Sequence, residues 1–272
     1  MPGTGPNLWE HEPVRIARYT TGEDPAYAVV EGEPGAEVLA TLVGDPLYQE
    51  VVLTGQHVAL ADARLLAPVI PRSKVIGIGR NYADHAAELG NEVPAEPLIF
   101  LKPNTSVVGP GDPVVLPSQS DEVHYEGELA VVIGRLCKDV PEERVADVVY
   151  GYTCANDVTA RDLQSRDGQW ARAKGFDTFC PIGPWIQTEL DVTDLALTTR
   201  RDGETVQDSR TSLLIHPVAK LVAYVSAMMT LLRGDLILTG TPAGVGPVTA
   251  GQRVEVEIEG IGTLSNPFIR RD

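Results

Sequence analysis

Apolar and polar residues alternate along this chain more often than they recur at helical spacing. In the first 68 residues the alternation predicts short strands at 14–19, 26–31 and 37–43, broken by Gly, Pro and Asp. No grouping of side chains in that stretch points to chemistry. It reads as a small strand-rich N-terminal domain, 1–68, with its boundary at Ala67-Pro68-Val69-Ile70-Pro71 and a larger domain over 69–272. The larger part opens on an apolar run at 74–79. The spacing then predicts a helix over 82–89, with Asn81 as N-cap and Gly90 as its stop. Strands are predicted at 97–101 and 123–133, and a short helix over 142–150 between Pro141 and Gly151. The clearest helix covers 217–233, where Val218, Leu221, Val222, Val225, Met229 and Leu232 share one face at a 3.6-residue period. A strand at 235–239, a turn at 240–244 and an alternating strand at 253–259 follow. Many strands and few helices predict an α+β fold built on mixed sheets.

Within 123–133, alternation puts Glu126 and Glu128 on one face, roughly 6–7 Å apart. Two carboxylates at that spacing can converge on one cation. The pattern alone is weak, because Glu255, Glu257 and Glu259 alternate in the same way and read as the solvated face of a half-buried strand. Asp157 would complete an oxygen set suited to Mg²⁺ or Mn²⁺. Taken by itself, Asn156-Asp157 ahead of 158–161 reads as a helix cap.

Charge narrows the choice of partner. Lys plus Arg against Asp plus Glu gives 22 − 38 = −16, and a surface this acidic disfavours nucleic acid and anionic membrane. It would also repel a small anionic substrate, so a site for an acid needs a local cation to reverse the field. The three cysteines, Cys137, Cys154 and Cys180, show no CxxC spacing and read as small buried residues; Cys180 is expected to be inert. No apolar run reaches the length of a membrane span, and the first residues lack the pattern of a signal peptide. The expected compartment is the cytoplasm.

Six motifs in order carry a resemblance: Gly79-Arg80-Asn81-Tyr82-Ala83-Asp84-His85, Tyr125-Glu126-Gly127-Glu128-Leu129, Asn156-Asp157-Val158, Arg161-Asp162-Leu163-Gln164, Lys174-Gly175-Phe176-Asp177 and Gly240-Thr241-Pro242-Ala243-Gly244-Val245-Gly246. Together they resemble the fumarylacetoacetate hydrolase family over roughly three quarters of the chain, from residue 72 onward. The run 168–175 is similar to short bacterial members described as oxaloacetate decarboxylases or acylpyruvate hydrolases. The resemblance implies a mixed β-roll catalytic domain, a homodimer, and Mg²⁺ or Mn²⁺ held by Glu126, Glu128 and Asp157. It further implies a substrate pocket lined by Arg161, Gln164, Lys174 and Thr241, and a mobile lid around His85 and Glu88.

A 2-oxo acid can chelate such a metal through a carboxylate oxygen and the 2-oxo group. The metal then acts as a Lewis acid on the enolate that forms as C3–C4 breaks. Lys174 and Arg161 can offset the remaining negative charge, and Thr241 can donate a hydrogen bond from its turn. His85 and Glu88, three apart on one helix face, can activate water for attack on C4. The expected activity is therefore acylpyruvate hydrolysis or oxaloacetate decarboxylation. Two alternatives stand beside it: an isomerase of the 2-hydroxyhepta-2,4-diene-1,7-dioate type in aromatic catabolism, and a non-catalytic β-rich binding module. His124 shares the face of the two Glu residues as a candidate support for them. His216 reads as structural, and Trp170 and Trp185 read as packing residues. The contacts beyond C4 are expected from 92–96 and 107–111, where no signal is readable.

Overall fold

Strand-forming sequence dominates the computed structural model, which describes residues 13–33, 35–88 and 93–271. The first strands are β1 (Arg15–Thr20), β2 (Ala26–Glu31), β3 (Val38–Leu42), β4 (Leu53–Ala59) and β5 (Arg64–Leu66). Then come β6 (Val75–Gly79), α1 (Ala83–Glu88), β7 (Leu98–Lys102), β8 (Val107–Val108) and β9 (Val114–Val115). The middle of the chain holds β10 (Val123–Tyr125), β11 (Gly127–Ile133), β12 (Val149–Asn156), β13 (Thr159–Ala160), α2 (Arg161–Asp167) and α3 (Ala171–Lys174). The last part runs through β14 (Cys180–Gln187), β15 (Ala196–Arg201), β16 (Glu204–Arg210), α4 (Val218–Met228), β17 (Leu236–Leu238), β18 (Gly246–Pro247), β19 (Arg253–Ile258) and β20 (Gly262–Ile269).

A 12-stranded sheet has the order β4-β3-β2-β1-β14-β12-β11-β17-β6-β7, with β5 on β1 and β8 on β14. Most pairs are antiparallel, but β17 runs parallel to β6 and β14 parallel to β8. The fold is thus α+β on mixed sheets. Strands from the first 68 residues join this same sheet, because β1 pairs with β14. A five-stranded sheet, β16-β15-β19-β20-β9, packs against it, and a small β13-β10-β18 sheet lies beside the two.

β11 sits between β12 and β17, and every residue in it is buried. Its alternate residues serve two cores. Leu129, Val131 and Ile133 join Leu221, Val222 and Val225 of α4, while Ala130 and Val132 join Ile182, Leu236 and Leu238. Burying each such aliphatic side chain is worth about 1.5–3 kcal/mol. Gly127, at the head of β11, lies where a Cβ would collide with Thr199 Oγ1 of β15, so the two sheets meet closely only because this residue is glycine.

Several elements differ from expectation. The strand foreseen over 123–133 is interrupted at Glu126, where the chain passes from the small sheet to the large one. The turn after Pro141 is 3-10 over Glu142–Asp147, and Val149 already belongs to β12. α4 stops at Met228 because the next residues pair instead with Cys137, which exchanges backbone hydrogen bonds with Leu231; Leu232 is left 37% exposed. Asn81 caps no helix. Its amide donates to the carbonyls of His216 and Thr239 and accepts from the His216 N–H, tying three loops together. Asp157 is not a cap either, since α2 begins four residues later with Ala160 at its N-cap. Gly90, the expected stop of α1, lies outside the described residues.

Among the described residues no helix is long and apolar enough to cross a membrane. The three cysteines are free and buried, and burial pushes the Cys180 thiol up to about 12, which accords with an inert residue.

Candidate metal and substrate site

Glu126 stands at the break between β10 and β11. The Glu126 N–H donates to Asn156 Oδ1 at 2.9 Å, and its carbonyl accepts from the Asp157 N–H at 2.8 Å. Those two bonds fix Asp157 against Glu126. Glu128, two residues on, accepts the Gly240 N–H at 2.7 Å. Gly240 has φ of +101°, and a Cβ there would come 2.7 Å from Asn81 Cβ, so glycine alone lets this amide reach the carboxylate. Glu126, Glu128 and Asp157 each present an oxygen within 4.8 Å of the others, and all three residues are at most 3% exposed.

Three buried cations surround them. Lys174 Nζ lies 2.7 Å from Glu126 Oε2 and 2.6 Å from Asp157 Oδ2. Lys102 Nζ lies 2.6 Å from Asp157 Oδ1. Arg161 donates from Nη2 to Glu126 Oε1, from Nη1 to Gln164 Oε1 at 2.8 Å, and from Nε to His124 Nδ1 at 3.3 Å. Burial alone would raise the Glu126 pKa, but Lys174 and Arg161 outweigh it and hold the carboxyl well below its usual range. Glu128 goes the other way: burial, with Asp157 and Glu126 nearby, pushes it well above an ordinary carboxyl. Burial opposes the charge on Lys174, yet Asp157 and Glu126 hold its pKa above 10.5.

A cavity of about 330 Å³ opens over this cluster. The expected residues His85, Arg161, Gln164, Lys174 and Thr241 line it with the three carboxylates. His85 Nδ1 is 3.4 Å from Glu88 Oε2, and Glu88 in turn accepts the Gly244 N–H at 3.1 and 3.2 Å. Burial lowers the His85 pKa below the usual 6.5, against the pull of Glu126, which favours the neutral ring.

Some roles change. Thr241 donates its hydroxyl proton to the Gly127 carbonyl and accepts from Gln207 Nε2, so here it holds its own turn. Lys174 is a counter-ion to two carboxylates, and Arg161 is engaged by Glu126, Gln164 and His124. His124 also contacts Glu122 at 2.9 Å, which makes it part of the clamp on Arg161. Trp170, read from sequence as packing, lines the cavity with Phe100 and Arg80. Among the described residues, none from 93–96 or 107–111 lines it. Lys102 was not foreseen. Its only signal is a lone cation closing the apolar run 98–101 ahead of Pro103. Arg80 is a non-glycine residue at φ of +57°, a backbone that costs about 1–2 kcal/mol.

The donor set fits a hard divalent cation. Three converging carboxylates supply only oxygen, the chemistry of Mg²⁺ and Mn²⁺ sites. A dication among them would also relieve the repulsion that raises Glu128. The acidic strand 253–258 offers no such convergence. Glu257 is paired with Arg200 at 2.5 Å on a face where its side chain is 46% exposed. Glu257→Ala is therefore expected to leave turnover and metal-induced stabilisation unchanged, and to shift stability by no more than about 0.5 kcal/mol. Parallel assays and melting curves check this.

The family profile described as Fumarylacetoacetate (FAA) hydrolase C-terminal matches residues 74–269. The chain belongs to the fumarylacetoacetate hydrolase family. Residues 14–68 match a second profile, Rv2993c-like, N-terminal. Protein Rv2993c of Mycobacterium tuberculosis is 53% identical over 263 residues, covering 95% of this chain and 99% of that one. Among family members of solved structure, the 2-hydroxyhepta-2,4-diene-1,7-dioate isomerase of Mycobacterium marinum is 51% identical with a TM-score of 0.88, over 95% of this chain and 99% of that one. The fumarylpyruvate hydrolase of Pseudomonas aeruginosa, in complex with Mn²⁺ and pyruvate, is 38% identical with a TM-score of 0.71, over 76% of this chain and 92% of that one.

Proposed function

We propose that this family member is a divalent-metal-dependent enzyme that breaks a C–C bond in a small 2-oxo acid, with acylpyruvate hydrolysis as its main form. The observation that carries this reading is the pairing of His85 with Glu88 at the wall of a cavity whose floor is the carboxylate cluster. Glu126, Glu128 and Asp157 would hold Mg²⁺ or Mn²⁺. When bound, the metal supplies a Lewis acid for the carboxylate and 2-oxo oxygens of the substrate as C3–C4 breaks. Lys174 and Arg161 keep Glu126 ionised, and Lys174 and Lys102 hold the Asp157 carboxylate in place. Glu88 accepts the Nδ1 proton of His85, which leaves Nε2 to take a proton from water as it attacks C4. The Mn²⁺ and pyruvate named with the Pseudomonas aeruginosa hydrolase support the metal and a 2-oxo acid as ligands here.

Loss of CO₂ from oxaloacetate would use the same carboxylates without a water-activating base. His85→Ala is expected to lower acetylpyruvate hydrolysis by roughly 10²–10⁴-fold and oxaloacetate decarboxylation far less. Equal losses would remove the base role of His85. The sign of the pH dependence follows from the neutral ring acting as base. Hydrolysis is present above the lowered histidine pKa and is lost as pH falls through it, so the acid limb of the rate profile lies below the usual 6.5.

Isomerisation of a 2-hydroxydienoate is the second reading, favoured by the name of the Mycobacterium marinum structure. The same base and carboxylates would move a proton instead of activating water.

A further inference from the structure

β11 is paired along one edge by β12 from Gly127 to Ile133, whereas on the other edge β17 pairs only with Ala130, Val131 and Val132. Gly127, between the two glutamates, lies beyond that second pairing. Two side chains take the place of a strand there. The Gly127 N–H donates to Gln207 Oε1 at 3.0 Å, and its carbonyl accepts from Thr241 Oγ1 at 2.9 Å. Gln207 Nε2 donates in turn to Thr241 Oγ1 at 2.8 Å and to the Pro242 carbonyl at 2.9 Å. Both donors and the acceptor of this amide are therefore used. Its orientation is fixed as well, because turning it over would set NH2 against the Gly127 N–H.

Gln207 is 1% exposed, while residues 204, 205, 208 and 210 of the same strand, β16, face solvent. A polar side chain at that depth costs stability unless its bonds are made, and here all of them go to one glycine and one turn. The close approach needs glycine on the other side. A Cβ at Gly127 would come 2.1 Å from Oγ1 of Thr199, the residue paired with Gln207, and a Cβ at Gly244 would come 2.0 Å from the Val206 carbonyl. The Gly127 N–H belongs to the peptide shared with Glu126, and its carbonyl to the peptide shared with Glu128. Holding both sets the direction in which the two carboxylates leave the chain. The turn that Gln207 holds follows directly on Gly240, whose N–H is donated to Glu128. Gln207 thus bears on both glutamates through backbone that it fixes.

We propose that Gln207 is a positioning residue for metal binding, which sets the spacing of Glu126 and Glu128 through Gly127 and the turn at Thr241 and Pro242. This rests on the reading of Glu126, Glu128 and Asp157 as ligands of a divalent cation. It gives the β15–β16 hairpin, which carries none of those ligands, a part in their geometry. Groups that orient ligands by hydrogen bonding change metal affinity by about 10–100-fold.

The test is titration calorimetry of Mg²⁺, and in parallel Mn²⁺, into the metal-stripped protein without substrate. Gln207→Met keeps the length of the side chain and loses all three bonds, and it is expected to weaken binding by about 10–100-fold. Gln207→Asn keeps the amide but falls one methylene short of Gly127. It should weaken binding in the same direction, and it carries the test if Gln207→Met does not fold. Val225→Ala is the control for stability alone, since Val225 is a buried core residue of α4 that does not line the cavity. It should lower the melting temperature and leave the dissociation constant unchanged. Native affinity in the folded Gln207 variants, or an equal weakening in Val225→Ala, would overturn the role of Gln207 while leaving the ligands standing. Failure of the native chain to bind either ion would remove the ligand reading and the role of Gln207 with it.

Discussion

Glu126→Gln is expected to lower kcat/KM by roughly a thousandfold or more, because metal-ion catalysis supplies several kcal/mol of transition-state stabilisation. The change keeps the shape of the side chain and removes its charge. It leaves Lys174 and Arg161 facing a neutral amide in a buried setting, where both had a carboxylate. Breaking a buried pair from one side costs about 3–5 kcal/mol, so the metal-free protein should also melt earlier. The rise in melting temperature on adding Mg²⁺ should vanish with the activity. Steady-state kinetics and thermal melts with and without Mg²⁺ read both effects. Unchanged turnover would defeat the assignment of Glu126 as a ligand.

Lys174→Met should show the opposite dependence on the metal. Among the described residues its ammonium is the cation that pairs with both Glu126 and Asp157. Without it, those carboxylates and Glu128 face one another with less compensation. The metal-stripped variant is expected to lose about 3–5 kcal/mol, which for a chain of this size lowers the melting temperature by on the order of 10 °C. Added Mg²⁺ can take over part of the neutralisation, so its stabilising effect should be larger in Lys174→Met than in the native chain. The sign of the pH dependence is fixed by the raised lysine pKa. Its contribution is fully present below the unfolded value of 10.5 and is lost only as pH rises through the still higher folded value, so measurements near neutrality contain all of it. A metal-free variant as stable as the native chain would show that Lys174 is not the counter-ion of this cluster.

The elements legible in the sequence were those with a local period. The apolar face of α4 through Val225 and the alternation in β2, β11 and β19 are set by neighbours a few residues apart. Elements decided by distant partners were misjudged. α4 ends early because Leu231 finds Cys137, about ninety positions upstream. The strand through Glu126 breaks because its two halves belong to different sheets. The alternation still brought Glu126 and Glu128 to one place, but the structure joins them by a break in the strand and not by a continuous face. Asp157 looked like a cap because its neighbours resemble one, whereas its partners, Lys102 and Lys174, lie 55 and 17 positions away. Lys102 is illegible for the same reason: a single cation at the edge of an apolar run has no local sign of whether it is paired. The resemblance to the family carried most of the site, and the internal comparison with Glu257 shows that a Glu-x-Glu pattern alone would not have done so.

The most direct test of metal-dependent C–C cleavage is a steady-state assay of the metal-stripped protein, with and without added Mg²⁺, on acetylpyruvate, oxaloacetate and 2-hydroxyhepta-2,4-diene-1,7-dioate in parallel. Turnover of acetylpyruvate or oxaloacetate that appears only with Mg²⁺ is the predicted result. Turnover of the dienedioate alone, or cleavage that proceeds equally well without metal, would contradict it.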